Sequence, residues 1–283
     1  GGPMTWRIAT RHTSTYRYSE PVVASFNEAR ITPSASDGQV VIEANVSVHP
    51  ATSLFTYRDY YATVVTAFDI PEPHSELIVT GSSTVETAPP VAPDGSFEWY
   101  ALADPKVRDH FSEYLQSTRY TTGDGDLAAV ADSFVSCADP AAAVEAVGER
   151  VRDAMRYEIG STGVSTSALE AWTQGRGVCQ DFAHVGIVLL RYLGIPARYV
   201  SGYLHPQADA TVGDRAEGQG HAWIEFWVGG WYPIDLTHGE PVDHRHVTVA
   251  RGRDYADVTP FRGVYQGGSL EGLEVSVDLI RLH

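Results

Sequence analysis

Between Gln180 and Leu193 the chain is apolar on nearly every side of a helix: Phe182, Ala183, Val185, Ile187, Val188, Leu189, Leu190, Tyr192 and Leu193 leave little polar face. A helix of that kind is stable only when other elements enclose it. The rest of the sequence must therefore supply layers around it. With 283 residues, 43% of them apolar, the chain is long enough to do so and to build a second, modest core besides.

Two textures divide the chain. From Thr5 to about Thr87, short alternating runs rich in Val, Ile, Thr and Tyr (Trp6 to Tyr18, Gln39 to His49, Ala62 to Ile70, Ser75 to Glu86) are punctuated by Pro21, Pro33, Pro50, Pro71 and Pro73. Period-two runs between turn residues predict antiparallel strands. Pro89-Pro90-Val-Ala-Pro93-Asp-Gly95 is stiff and poor in side chains that pack, which places a border near residue 100. After it, 126–135 and 140–156 carry apolar residues at helical spacing. Asp139 before Pro140 makes an N-cap followed by proline at the first helical position. A short helix is expected over 165–174, then the apolar helix, and then strands over 198–204, 221–228 and 232–236. The predicted organisation is an N-terminal β-rich domain, residues 1–100, and a second domain, residues 101–283. The fold class is α+β, a β-sandwich-like unit followed by a helix packed on an antiparallel sheet.

Composition removes several functions. An excess of 16 negative charges repels phosphate backbones and anionic lipid surfaces, so neither nucleic acid nor a membrane is expected as partner. No apolar run approaches membrane-spanning length. Gly1-Gly2-Pro3 ahead of Met4 reads as a remnant outside the fold, and Met4 runs straight into a strand pattern. Two cysteines make no disulfide framework, so a reducing, cytoplasmic setting is expected.

Of the two, Cys179 has a special position. It stands just ahead of the apolar helix and follows the turn Gly175-Arg-Gly177. Helix N-termini present unpaired N–H groups and a favourable dipole, which stabilise a thiolate and equally an oxyanion formed when a carbonyl is attacked. Cys137, without a glycine turn or a nearby histidine, reads as structural.

A thiol nucleophile needs a base and an orienting acid. His221 begins a strand with Ala222, Ile224, Phe226 and Val228 on one face and His221, Trp223, Glu225 and Trp227 on the other. The next strand alternates Tyr232, Ile234 and Leu236 against Trp231, Pro233 and Asp235. If the apolar faces coincide, His221 and Asp235 share the other face. A two-residue turn at Gly229-Gly230 would break that arrangement. A three-residue loop is expected to leave Asp235 opposite Glu225, too far from His221, so a five-residue loop or a bulge is expected instead, with Asp235 opposite Trp223. Asp181, in the first turn of the helix, is expected to cap locally. His238, His244 and His246 cluster after the hairpin, but no Cys-x-x-Cys or helical His-x-x-x-His spacing accompanies them, and no metal or other cofactor is expected. The polar segment from Asp209 to Gly220 reads as a surface loop, with a mobile lid as the other reading.

The segments Gly175-Arg-Gly-Val-Cys179-Gln-Asp-Phe-Ala-His184, Leu193 to Tyr203, Gly220-His221-Ala-Trp-Ile-Glu225 and Trp231-Tyr-Pro-Ile-Asp235-Leu-Thr237 together resemble the papain-like transglutaminase-like superfamily, in its bacterial two-domain form. The likeness extends to Ser14 to Val22 with Asn27-Glu-Ala-Arg30, and to 252–265. The resemblance implies Cys179 as nucleophile, His221 as base and then acid, and Asp235 as the group that orients the imidazole. Two positions depart from the family's usual pattern: Gly220, where a polar residue often precedes the His-Ala-Trp, and Leu236, where a proline often follows the aspartate. Neither removes a catalytic atom. For the second oxyanion donor the candidates are Tyr157, Trp172 and Trp223. The implied activity is hydrolysis of a peptide or protein amide through an acyl-enzyme. Acyl transfer to an amine, or an idle scaffold that binds a peptide or protein in its cleft, are the other readings, and the sequence carries no sign of oligomeric state.

Overall fold

The computed structural model describes residues 5–218 and 220–283; the remnant before Thr5 lies outside the described residues. The first stretch is all strand: β1 (Trp6–Val22), β2 (Ala24–Ala29), β3 (Gln39–His49), β4 (Phe55–Arg58), β5 (Val64–Ile70) and β6 (His74–Thr87). Helices follow in α1 (Trp99–Leu102), α2 (Pro105–His110), α3 (Gly125–Asp132) and α4 (Pro140–Ala154). Then come β7 (Arg156–Tyr157), α5 (Ala168–Gln174), β8 (Arg176–Gly177) and α6 (Cys179–Tyr192), the apolar helix. The remainder is β9 (Ala197–Leu204), β10 (Arg215–Gly218), β11 (His221–Trp227), β12 (Trp231–Ile234), β13 (His246–Gly252), α7 (Tyr255–Val258), β14 (Phe261–Gln266) and β15 (Leu270–Arg281).

Each predicted helix has the local signal that starts it. Asp139 accepts the Ala142 N–H with Pro140 at the first helical position, and Ser167 and Glu170 form a reciprocal capping box on α5. Gly175, in the left-handed region at φ 65°, ends α5 and turns the chain toward Cys179. Among the described residues no helix is long and apolar enough to cross a membrane.

The strands form a five-stranded sheet, β10-β15-β1-β6-β3, a four-stranded sheet, β14-β2-β5-β4, and a second four-stranded sheet, β12-β11-β9-β13. The first two enclose a small core of Tyr16, Tyr18, Val22, Ile31, Phe68, Ile70, Leu77 and Val79. That is the expected sandwich-like unit. The third sheet carries α6 on one face, and its core is continuous with Trp6, Ile8 and Val85 of the five-stranded sheet.

A division at residue 100 does not describe these sheets. β14 pairs with β2 and β15 with β1, so the C-terminal strands complete the N-terminal unit. The physical reason is edge protection: without β15 and β14, β1 and β2 would each expose an unpaired ladder. The segment expected as a surface loop or lid, 209–220, contains β10, which extends the same sheet along β15; residue 219 lies outside the described residues. Gln39 binds the two halves directly, donating to the Thr248 carbonyl at 2.8 Å and accepting the Thr248 N–H at 2.8 Å.

Candidate active site

The helix α6 begins at Cys179, and its first turn leaves the N–H groups of Cys179 and Gln180 without an intrahelical acceptor. Val178 has no side-chain oxygen to cap this terminus. Asp181 reaches back instead and accepts the Val178 N–H at 2.8 Å, while Thr162 Oγ1 donates to the same carboxylate at 2.5 Å. Burial pushes the Asp181 carboxyl up, and these two bonds pull it only part of the way back. Asp181 therefore secures the turn that presents Cys179, which is half-buried, as expected of a local cap.

β11 and β12 pair as Ile224 with Ile234, Glu225 with Pro233, Phe226 with Tyr232 and Trp227 with Trp231. Extended by one residue, that register sets Asp235 across from Trp223, on the face that also holds His221. His221 and Asp235 share that face because the sharing depends only on the parity of the register. The connection is three residues, not the expected five, and it keeps Asp235 across from Trp223, not Glu225 as expected of a three-residue loop: the ladder continues to Trp227 and Trp231, and Val228-Gly229-Gly230 closes it with Val228 N–H donating to Gly230 O at 3.0 Å. Arg198 lies 4.0 Å over the Trp231 ring, and Phe111 packs on both tryptophans, which rewards pairing to the very end of the hairpin.

His221 Nε2 stands 2.6 Å from Asp235 Oδ2. The other ring nitrogen, Nδ1, is not engaged with Asp235, and Cys179 lies near enough to the imidazole to act on it. Burial alone would lower the His221 pKa. The hydrogen bonds and charges of Asp235 and Cys179 outweigh it and hold the imidazole up to about 10. Asp235 is 3% exposed, and burial would raise it. His221 and His246, both hydrogen-bonded to it, hold its carboxyl well below the usual carboxylate range.

Tyr157 is brought to this group. It packs against Phe182 and His238, and its phenol is pushed up by burial and by the Cys179 charge. Trp223, 2% exposed, sits behind His221 at 6.0 Å between ring centroids. Trp172 is held under Arg150 at 5.2 Å. Cys137 is removed from the site, at the end of a helical turn where its carbonyl accepts the Trp99 indole N–H.

Two histidines of the 238–246 cluster join the site. The His238 ring is parallel to that of His221 within 10°, centroids 6.2 Å apart, and His246 Nε2 is 3.0 Å from Asp235 Oδ2. His244, the third member of the sequence cluster, packs on Trp6 instead. The donor atoms of His221, Asp235 and His246 lie within 4.8 Å of one another, a separation that metal sites share. In this arrangement each Nε2 is engaged with Asp235 in a hydrogen-bonded network.

Residues 128–236 match the family model described as transglutaminase-like superfamily, and residues 8–86 match that of the bacterial transglutaminase-like N-terminal region. An uncharacterised protein of Mycobacterium leprae is 46% identical over 277 residues, covering 98% of this chain and 99% of the relative. The chain belongs to the bacterial transglutaminase-like family. A crystal structure of a candidate cysteine protease from Cytophaga hutchinsonii has the same fold, with a TM-score of 0.79 at 24% identity over 99% of this chain and 93% of that one. A protein-glutamine γ-glutamyltransferase of Pseudomonas aeruginosa is 35% identical over 68 residues, which cover 22% of this chain and 10% of that protein. This bacterial transglutaminase-like chain therefore has the fold of the family's thiol enzymes, with a cysteine, a histidine and an aspartate converging at one end of the sheet.

Proposed function

We propose that the protein is a thiol-dependent amide hydrolase in which Cys179 is the nucleophile, His221 the base and then the acid, and Asp235 the group that orients the imidazole. The observation that carries this reading is the 2.6 Å bond from His221 to Asp235 beside Cys179 at the N-terminus of α6. With His221 held up to about 10, the imidazolium is the resting form at neutral pH and stands beside the sulfur. The thiolate attacks the amide carbon, and charge collects on the carbonyl oxygen, within reach of the free N–H groups of the α6 terminus. The C–N bond then breaks as the imidazolium gives its proton to the departing amine. Water loses a proton to the imidazole, attacks the thioester, and the S–C bond breaks to restore the thiolate as the acid leaves.

A second reading, in which an amine replaces water in the last step, is favoured by the short match to the Pseudomonas aeruginosa γ-glutamyltransferase. The two share every step up to the thioester. A burst of p-nitrophenol from p-nitrophenyl acetate that disappears in Cys179→Ala and persists in Cys137→Ser is the expected result. A burst that survives Cys179→Ala refutes the proposal. In the Cys137→Ser protein, which retains Cys179, iodoacetamide at near-neutral pH is expected to modify the thiol far faster than in the Cys179→Ala protein, which retains Cys137. Products of a glutamine-containing peptide with and without a primary amine then separate hydrolysis from transfer.

A further inference from the structure

His246 lies outside the sequence-derived triad, and only the pairing of β13 with β9 brings it to the site, opposite Leu204. Its side chain is 3% exposed, and its Nε2 points at Asp235 Oδ2 from 3.0 Å, the same oxygen that His221 Nε2 meets at 2.6 Å. The other end of the ring decides what it does there. Nδ1 accepts the Asp243 backbone N–H at 3.2 Å. The same Nδ1 lies 3.5 Å from Asp243 Oδ1, so that end of the ring is occupied by Asp243 and Nε2 is the nitrogen that donates to Asp235. Trp223 stands edge-on to the ring at 5.0 Å and 82°, which fixes its plane.

We propose that His246 is a positioning residue: a fixed Nε2–H donor that anchors Asp235 and shares its charge with His221. The proposal rests on the triad reading above. Asp235 Oδ1 accepts the Thr237 N–H at 3.1 Å, so with His246 on Oδ2 the carboxylate is held at both oxygens and cannot swing away from His221. An oxygen that already takes one N–H is also a weaker acceptor for a second. His246 thus tempers the hold of Asp235 on the imidazolium, which must release its proton to a leaving group in every turnover.

The charged and titratable groups around the pair come from five segments. His221 faces Asp235 at the end of β12, Cys179 on α6, His238 after the hairpin and His246 on β13, while Tyr157 on β7 faces Cys179. His246 faces Asp235 and His221, with Asp243, His244 and Arg245 on its own approach.

The test uses the full chain with His246→Phe, which keeps ring bulk without the donor, and His246→Gln, whose amide N–H extends toward the place of Nε2. Three quantities are read: the thermal midpoint, the p-nitrophenyl acetate burst rate, and the titration of His221 followed by imidazole NMR. With Phe the burst is expected to slow about tenfold to a hundredfold, the size of one lost hydrogen bond to a charged group. His221 is expected to titrate higher, because Asp235 now serves it alone. Gln is expected to return both toward the wild type. A folded His246→Phe protein in which burst rate and His221 titration are both unchanged overturns the proposal, as does a folded Gln variant as impaired as Phe. Failure of the triad reading is a separate result, a burst independent of Cys179, and the His221 titration still decides on His246 in that event.

Discussion

Asp235→Asn keeps the size and shape of the side chain and removes its charge, so it isolates what the carboxylate does to His221. The imidazole is held up to about 10 against an ordinary 6.5, although it is buried. The difference, 10 − 6.5, is about 3.5 pKa units, and at about 1.4 kcal/mol each the site favours the imidazolium by roughly 5 kcal/mol after burial has taken its share. Two partners supply this, Asp235 and Cys179, and the 2.6 Å bond with its charge gives Asp235 at least half. His221 in Asp235→Asn is therefore expected to titrate near ~8 or lower. The assay is imidazole NMR from pH 5 to 11 on wild type and variant, with thermal melts to verify that both are folded. The acyl-enzyme burst should slow by about two to four orders of magnitude, as when other triads lose this charge. A folded Asp235→Asn protein whose His221 still titrates near 10 refutes the reasoning, because the imidazolium would then owe its stability to something other than the aspartate.

Acid should weaken the fold through two other buried histidines. His12 is held down to about 4 and His184 to about 3 by burial, so both are neutral in the folded chain, while the unfolded chain takes up protons below about 6.5. Their stabilisation is full above pH 6.5 and is lost progressively as the pH falls toward those folded values. At pH 5 that is about 2 kcal/mol each, ~4 kcal/mol together, and urea midpoints that do not change between pH 7 and pH 5 would contradict it. Gly186 on α6 has Leu236, the neighbour of Asp235, where a β-carbon would stand, and Ile224 Cδ1 lies 3.5 Å from that point. Gly186→Val is expected to cost about 3 kcal/mol by overpacking, read as a lower urea midpoint at unchanged slope.

Signals confined to a few neighbouring residues were readable. The strand runs that end at His49, Ile70 and Glu86 became β3, β5 and β6 with boundaries off by a few residues at most, because alternation and proline punctuation are local properties. The same holds for the capped helices α4 and α5 and for the apolar helix α6. Short edge strands escaped: β4 is four residues long and mostly exposed, so burial imposes no alternation on it. So did β10, β13, β14 and β15, none of which pairs with a strand next to it in the chain. β15 matches Thr13 with Ser276 and Ile8 with Arg281, and nothing in 270–281 alone indicates that destination. Within the site, parity sufficed to put His221 and Asp235 on one face, whereas the length of the hairpin connection depended on Trp227, Trp231, Arg198 and Phe111 packing together. His246 was legible as a histidine in a cluster and not as a partner of Asp235, since that contact depends on how β13 meets β9.

One glycine shows how the three strands are brought to a common point. β9 is the strand between β11 and β13, and Gly202 on it pairs with His221 on one side and Thr248 on the other. A β-carbon there would run into the Val247 carbonyl and come within 2.7 Å of Trp223 Cη2. With hydrogen in that place the Trp223 ring crosses over β9 and reaches His246. Trp223, the residue across from Asp235 in the hairpin register, thus touches both imidazoles whose Nε2 atoms converge on Asp235 Oδ2. The strand that contributes no side chain of its own at that position is what allows β11, β13 and the end of β12 to share one buried carboxylate. Cys179 can therefore approach from the end of the sheet, on a helix that packs against the other face, and meet an imidazole whose orientation is already set.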